Sequence, residues 1–203
     1  MGLSSDDWDG VAMSGQAKRP KPGERKIQIL QTWALMLQES GDARITTAAL
    51  AARLSVSEAA LYRHFASKAQ MVEGLIEFRE QSVFGLINQI EQKHTDPIWR
   101  VQSIALMLIE FAQANPGMTR VLIGDSSVLE IERLQRRIQQ MLERIELSLK
   151  QAFRQLDRHK IDPAYAAEAI MAWVTGHWLG FVRSGFKPLD AERLRAQCLL
   201  FLG

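Results

Sequence analysis

The chain has 203 residues; 47% of them are hydrophobic, and 25 Lys and Arg side chains are opposed by 23 Asp and Glu. This balance excludes a disordered or collagen-like chain and favours a packed, mostly helical protein. A single cysteine, Cys198, excludes an internal disulfide framework and a cysteine-rich zinc site. The longest uncharged apolar stretch, residues 169–182, is too short to span a bilayer, and Asp6, Asp7 and Asp9 stand where a secretory signal needs positive charge. We therefore expect a cytoplasmic protein.

Apolar residues recur at helical spacing in almost the whole chain beyond the first 22 residues. Ile27, Leu30, Ala34 and Leu37 predict a first helix over about 24–39. Side chains that can accept a hydrogen bond from a first-turn amide precede several later helices, and proline occupies the first helical position of two. The later helices are predicted over about 47–54, 58–65, 68–93, 97–114, 118–123, 126 or 127 to 160, 163–183 and 190–202, with caps at Thr46, Ser57, Ser67, Asp96 and Asp162. No stretch alternates as a half-buried strand would, so the fold class is all-α with about nine helices.

The helix predicted to end near residue 160 is the longest. Its apolar residues follow one another at three- and four-residue steps between Arg and Glu side chains, which predicts coiled-coil-like packing. The run Asn115-Pro116-Gly117 predicts a break before the short helix over 118–123.

Charge is distributed unevenly along the chain. Residues 1–17 hold three acidic side chains and no basic ones, residues 18–68 have a net charge of +5, and residues 69–203 are neutral overall. A basic block on a neutral body indicates an anionic partner, most commonly nucleic acid, whereas a solubilising surface is the plainer alternative. We expect a flexible tail over 1–22, a DNA-binding domain over 23–70 and a helical domain for dimerisation and partner binding over 71–203.

The second and third predicted helices have the length and spacing of a helix-turn-helix. Such a unit places the start of its second helix in the major groove of DNA, while flanking caps hold phosphates. The residues expected at the bases are Ser57, Glu58, Ala59, Tyr62 and His64, and those expected at the DNA backbone are Arg44, Thr46, Thr47 and Lys68. Leu61 and Phe65 fall on the opposite face and are expected in the core. Two ordinary helices of a bundle would give the same pattern, and the basic block favours DNA binding.

The run Val56-Ser57-Glu58-Ala59-Ala60-Leu61-Tyr62-Arg63-His64-Phe65, followed by Ser67-Lys68, resembles the recognition-helix segment of the TetR family of DNA-binding proteins. The shared pattern is a small polar cap, a small residue, Leu-Tyr-x-His-Phe and then x-x-Lys. The resemblance implies a TetR-like fold, a homodimer on palindromic double-stranded DNA, and a C-terminal domain that holds the dimer interface and commonly a ligand cavity.

Further motifs resemble the nucleoid occlusion factors within that family. They are, in chain order, Arg44-Ile45-Thr46-Thr47-Ala48, Leu75-Ile76-Glu77-Phe78, Asn115-Pro116-Gly117 with Thr119-Arg120, Arg133-Leu134-Gln135, Glu143-Arg144-Ile145-Glu146, and Phe181-Val182-Arg183-Ser184 with Phe186-Lys187. The resemblance implies a nucleoid-associated dimer that, when bound to DNA, engages the tail of the division protein FtsZ. It would thereby antagonise FtsZ polymers and block septum assembly over the chromosome.

In that group the FtsZ tail docks in a groove between the fourth and fifth helices. The corresponding residues here are Phe78, Leu86, Met107, Glu110, Ala114 and Asn115, with Phe78 as the apolar anchor. Leu86 and Ala114 stand where arginines are expected, and Glu110 stands where glycine is expected. Since two positive charges are absent and one negative charge is added, we expect reduced affinity for an acidic peptide and weak salt dependence.

The penultimate predicted helix carries the candidate dimer interface. Gly176 and Gly180 form a small-xxx-small pair, and the interface residues are expected to be Trp173, Gly176, His177, Gly180 and Phe181, with Trp178 and the last helix beside them. A protomer core is the alternative interpretation of the same residues. Cys198, on the apolar side of the last helix, is expected to be buried and inert.

Enzymatic signals are weak in this sequence. The four histidines lack metal-ligand spacing, and neither a Gly-rich phosphate loop nor a nucleophile elbow is present, so we expect no metal, no cofactor and no catalytic residue. Two functions remain: a DNA-activated antagonist of FtsZ, or a TetR-type transcriptional repressor released by a small apolar ligand. Leu106 to Ile109 could line the cavity for such a ligand, although a simple core is the plainer interpretation.

Overall fold

The computed structural model describes residues 23–39, 45–124, 132–156 and 162–200. Within those segments the backbone forms nine α-helices and no strand, which confirms the all-α prediction. The helices are α1 (Glu24–Glu39), α2 (Thr47–Arg53), α3 (Glu58–Tyr62), α4 (Lys68–Lys93), α5 (Pro97–Ala114), α6 (Pro116–Leu122), α7 (Glu132–Arg154), α8 (Pro163–Arg183) and α9 (Ala191–Leu200). None of these helices combines the length and apolar character of a membrane span.

Side-chain caps set the starts of five helices where the sequence predicts them. The hydroxyl groups of Thr46, Ser57 and Ser67 accept hydrogen bonds from first-turn amides of α2, α3 and α4. The carboxylates of Asp96 and Asp162 do the same for α5 and α8, with proline following at the first helical position. Each cap satisfies an amide that has no partner within its helix, which fixes where the helix begins.

The nine helices bury one continuous apolar core. α5 lies at its centre, in contact with α4, α6, α7, α8 and α9, and its residues Ile104, Ala105, Leu108 and Ile109 are fully buried. The apolar seam of α7 packs against α8 and α5 within the protomer. α1 contacts α2 and α4 and packs most extensively against α6, so α6 joins the N-terminal helices to the C-terminal ones.

Several predicted details are wrong. α3 ends at Tyr62 instead of Phe65, because the amides of His64 and Phe65 both turn back to the carbonyl of Leu61 and bring Phe65 into the core. α6 begins at Pro116, where a residue without an amide hydrogen fits the first helical position. Ile27 of α1 is exposed, and the buried stripe of that helix consists of Ile29, Leu30, Trp33 and Leu37.

The helix expected to be longest is also shorter than predicted at its C-terminal end. α7 ends at Arg154 and is followed by a turn at residues 155–156, so α4, with 26 residues, is the longest helix of the described segments. The predicted start of α7 at residue 126 or 127 and the predicted tail over 1–22 lie outside the described residues.

Candidate functional site

The helix-turn-helix consists of α2 and α3. Its turn passes through Ser55, whose φ of 54° lies in the left-handed region, and the amides of Ser55 and Val56 bond to the carbonyls of Ala52 and Ala51. Leu61 and Phe65 are buried, as predicted, and anchor α3 against the core. The opposite face of α3 is therefore left for a partner.

The residues predicted to face DNA bases lie together on that free face. Ser57, Glu58, Ala59, Tyr62 and His64 are all exposed, and the Tyr62 side chain retains 45% of its accessible surface. Small Ala59 at the start of α3 leaves room for close approach to a groove. This arrangement suits direct readout of base edges by the N-terminal part of a helix.

A hydrogen bond across the turn ties the two helices together. The hydroxyl of Thr47, at the start of α2, donates to Glu58 Oε2 over 2.7 Å and lies 3.4 Å from the hydroxyl of Tyr62. The carboxylate of Glu58 is thus engaged with Thr47, which places Thr47 between Glu58 and Tyr62.

Basic side chains also lie on and next to the helix-turn-helix. Lys68 begins α4, and its ammonium lies 5.7 Å from the centre of the Trp33 ring. The structure adds two cations that the sequence interpretation did not select: Lys26, 5.1 Å from the Phe65 ring centre, and the exposed Arg63 directly after α3. Lys26 and Arg63 both belong to the basic block over residues 18–68, and this was the feature of the sequence that could have identified them. Arg44 lies outside the described residues.

α6 is seated directly on α1. A Cβ added at Gly117 would lie 2.0 Å from the carbonyl oxygen of Ala34, so only glycine permits this contact. The buried guanidinium of Arg120 donates to the carbonyl of Leu37 over 3.0 Å, in the last turn of α1. A cation at the C-terminal end of a helix is favourable because unpaired carbonyls concentrate there.

The predicted partner groove lies where α4 packs against α5. Phe78, Leu86 and Met107 are half-buried apolar side chains packed against the core, whereas Glu110 and Ala114 are exposed. Asn115 ends α5 and precedes Pro116 of α6, and its side-chain amide donates to the carbonyl of Phe111 over 2.8 Å. The last of the predicted groove residues therefore adjoins the helix that contacts α1.

A charged cleft separates α4 from α7 on another side of the bundle. It encloses about 500 Å³ and is lined by Glu73, Glu80, Arg133, Arg136, Arg137, Gln140 and Arg144. Glu73 pairs with Arg133 at 3.0 Å, and Glu80 pairs with Arg137 and Arg144. These ion pairs connect the two helices. The lining of the cleft is polar and charged, so the cleft does not suit an apolar ligand.

The predicted dimer residues divide into two groups. Trp173 and His177 are half-buried and in tilted ring contact, with ring centres 4.7 Å apart, and Gly176 and Gly180 are exposed. Phe181, in contrast, is buried in the protomer and packs on Phe186, with ring centres 5.4 Å apart. Trp178 was also expected beside the interface. This prediction is wrong, because Trp178 is 1% exposed and its indole donates to the carbonyl of Leu108.

The two exposed glycines have no packing role within the protomer. A Cβ added at Gly176 or Gly180 would meet nothing within 4 Å. Their small size therefore serves no close helix contact within one copy, and the dimer contact expected at these residues stays a prediction.

Cys198 is buried, as predicted, and burial raises the pKa of its thiol to about 11. The thiol is therefore protonated at neutral pH and is a poor nucleophile and a poor metal ligand. Within the described segments, no group of three or more His, Cys, Asp or Glu side chains could hold a metal ion.

Comparison with known proteins matches both halves of the chain. The family described as "Bacterial regulatory proteins, tetR family" matches residues 29–75, and the SlmA-like family described as "Tetracyclin repressor-like, C-terminal domain" matches residues 95–202. The solved structure of the fatty acid degradation regulator FadR from Bacillus halodurans is similar in fold, with a TM-score of 0.75 over 91% of this chain and 97% of that one at 16% identity.

Full-length relatives are similar in sequence as well. Nucleoid occlusion factor SlmA of Marinomonas sp. (strain MWYL1) is 48% identical over 177 residues, covering 85% of this chain and 90% of the relative. Nucleoid occlusion factor SlmA of Aliivibrio fischeri (strain MJ11) is 45% identical over 179 residues, covering 85% of this chain and 91% of the relative. These matches confirm the resemblance stated from the sequence motifs. The chain belongs to the SlmA family of TetR-type regulatory proteins.

Proposed function

We propose that this protein is a nucleoid occlusion factor. As a homodimer it binds palindromic chromosomal DNA through α3, and in the DNA-bound state it antagonises FtsZ polymers. It thereby acts in the cytoplasm at the nucleoid. The relatives named SlmA support the overall function, and the exposed face of α3, with the exposed Arg63 directly after it, supports DNA recognition.

The contact between α6 and α1 is the observation that carries this proposal. Gly117 and Arg120 bind the middle and the end of α1, and α1 contacts α2 and α4 beside the DNA-facing helix. The same short helix follows Asn115 at the end of the partner groove. We infer that a shift of the N-terminal helices on DNA reaches the groove through this contact, which is a candidate route for activation by DNA.

A sedimentation experiment tests the proposal. FtsZ is assembled with GTP and sedimented in the presence of the protein, with and without a palindromic duplex that the protein has selected from a random library. We expect the protein to reduce sedimented FtsZ only when the duplex is present. Tight binding to the duplex without any effect on FtsZ would overturn the FtsZ part of the proposal and favour a transcriptional repressor.

Phe78→Ala tests the groove itself, and Phe84→Ala is its matched control. Both phenylalanines are half-buried in α4, but Phe84 lies beneath Arg144 on the side that faces α7. Truncation of an apolar anchor commonly costs about 2 kcal/mol, which is about 30-fold in affinity. We expect Phe78→Ala to lose the effect on FtsZ while retaining DNA affinity, and Phe84→Ala to retain both. Equal losses of both activities in Phe78→Ala would show that Phe78 is only a core residue.

A further inference from the structure

Arg79 occupies an unusual position for a charged residue. It follows Leu75 by four residues and Ile76 by three, and it precedes Val83 by four, so it lies on the inward stripe of α4. All three of those neighbours are buried. A side chain in this register normally belongs to the core, yet here it carries a permanent positive charge.

The guanidinium of Arg79 has no anionic partner among the described residues. Its Nε is fully buried and makes no hydrogen bond, and burial lowers the pKa of the group. Other arginines near α4 are arranged differently, because Arg133 and Arg144 each meet a glutamate of that helix. A buried donor without a partner is costly, and the cost is relieved when an anion binds.

Arg79 also lies beside the proposed anchor of the partner groove. Its Cζ is 5.3 Å from the centre of the Phe78 ring. The groove has Leu86 and Ala114 at the two positions where positive charge was expected, and Glu110 contributes a negative charge. Arg79 is therefore a cation that can meet an acidic ligand resting on Phe78.

We propose that Arg79 is a specificity-determining residue of the partner site, whose guanidinium binds a carboxylate of an acidic peptide that packs on Phe78. The inference rests on the proposed function and names the charge that holds the FtsZ tail. A guanidinium can bind a carboxylate through two parallel hydrogen bonds, and the partly buried setting strengthens the pair. Arg79 thus supplies a positive charge that is absent at Leu86 and Ala114.

Peptide binding to the DNA-bound full-length dimer tests the inference. The probes are a synthetic FtsZ tail peptide and a version in which each Asp and Glu is replaced by its amide. The variants are Arg79→Met, which keeps an unbranched apolar stem, Arg79→Lys, which keeps charge without the bidentate geometry, and Arg154→Met, a matched charge deletion at an exposed position on α7. Thermal stability and duplex affinity are measured for each variant.

We expect Arg79→Met to weaken binding of the acidic peptide by about tenfold or more, since hydrogen bonds to charged groups contribute this much. Arg79→Lys should lie between Arg79→Met and the parent protein, and Arg154→Met should equal the parent. The amide peptide should bind the parent protein and Arg79→Met equally, and the salt dependence seen with the acidic peptide should disappear in Arg79→Met.

Three results would overturn the inference. If the parent protein binds the acidic peptide and Arg79→Met binds it equally well, the inference fails while the proposed function stands. If the DNA-bound parent protein binds neither peptide, both fail. A loss in Arg79→Met that is the same for the two peptides would assign Arg79 a structural role only.

Discussion

The helix-turn-helix and the α4–α5 groove differ in what determines their surfaces. In the helix-turn-helix, Thr46 and Ser57 cap consecutive helices, so local sequence fixes which side chains point outward. In the groove, the surface depends on how two long helices pack, and the charge next to Phe78 comes from Arg79 on the inward stripe. Sequence-local surfaces can be predicted residue by residue, whereas a surface made by packing shows its charges only in three dimensions.

Gly117→Ala has the largest expected effect, because it disrupts the contact between α6 and α1, which connects the helix-turn-helix to the α4–α5 groove. The added Cβ would lie 2.0 Å from the carbonyl oxygen of Ala34, and backbone on both sides must move to relieve the clash. We expect a loss of about 3 kcal/mol or more in the free energy of unfolding. For a chain of this size, that corresponds to a melting temperature lower by roughly 6–12 °C.

Gly85→Ala is the control for this effect. Gly85 lies inside α4, and a Cβ added there meets nothing within 4 Å. Because alanine favours a helix over glycine, this variant should be more stable by about 0.5–1 kcal/mol. A Gly117→Ala variant as stable as Gly85→Ala would contradict the close contact of α6 and α1.

Gly180→Trp tests whether the C-terminal half supplies the dimer that the helix-turn-helix needs. A large side chain at Gly180 meets nothing in its own protomer but would separate two α8 helices packed on each other. We expect self-association to weaken by about 2–3 kcal/mol, about 30- to 150-fold, with palindrome binding reduced in parallel. Light scattering measures the dimer, with Leu147→Trp, on the exposed side of α7, as the control. A Gly180→Trp variant that remains dimeric would place the interface elsewhere.

Substitutions on the DNA-facing surface should separate sequence readout from phosphate contact. We expect Tyr62→Ala or His64→Ala to cost about 1–3 kcal/mol on the specific duplex and little on a random one. Lys68→Ala should weaken both duplexes alike and reduce the salt slope by about one unit. Titrations with both duplexes at several salt concentrations measure these effects. Equal losses on the two duplexes for all three variants would contradict the assignment of roles.

The sequence predicted what depends on neighbours along the chain. The caps, the order of the helices and the inward direction of Leu61 and Phe65 follow from local hydrogen bonding and periodicity. The structure contains the capping hydrogen bonds of Thr46 and Ser57, and it buries Leu61 and Phe65. The exposed positions of Tyr62 and His64 follow from the same pattern.

Features that depend on tertiary packing were less predictable. Trp178 and Phe181 lie in an apolar helix, and periodicity alone does not separate the core of one protomer from that of a dimer. Arg79 is not among the positions that the family resemblance assigns to the groove. Its spacing from Leu75 and Val83 was the signal that could have identified it.

Ser55→Gly has the smallest expected effect and tests how strictly the helix-turn-helix follows local rules. Ser55 adopts a φ of 54°, a conformation that costs a residue with a Cβ about 1–2 kcal/mol. Glycine removes this strain but loses about 0.5–1 kcal/mol more conformational freedom on folding. Within the described segments the Ser55 hydroxyl makes no hydrogen bond, so we expect a net gain of about 0.5–1 kcal/mol, or roughly 1–4 °C in melting temperature. Ser55→Ala keeps the Cβ and should show no gain. A lower melting temperature in Ser55→Gly than in Ser55→Ala would mean that the turn is held by contacts beyond its own backbone conformation.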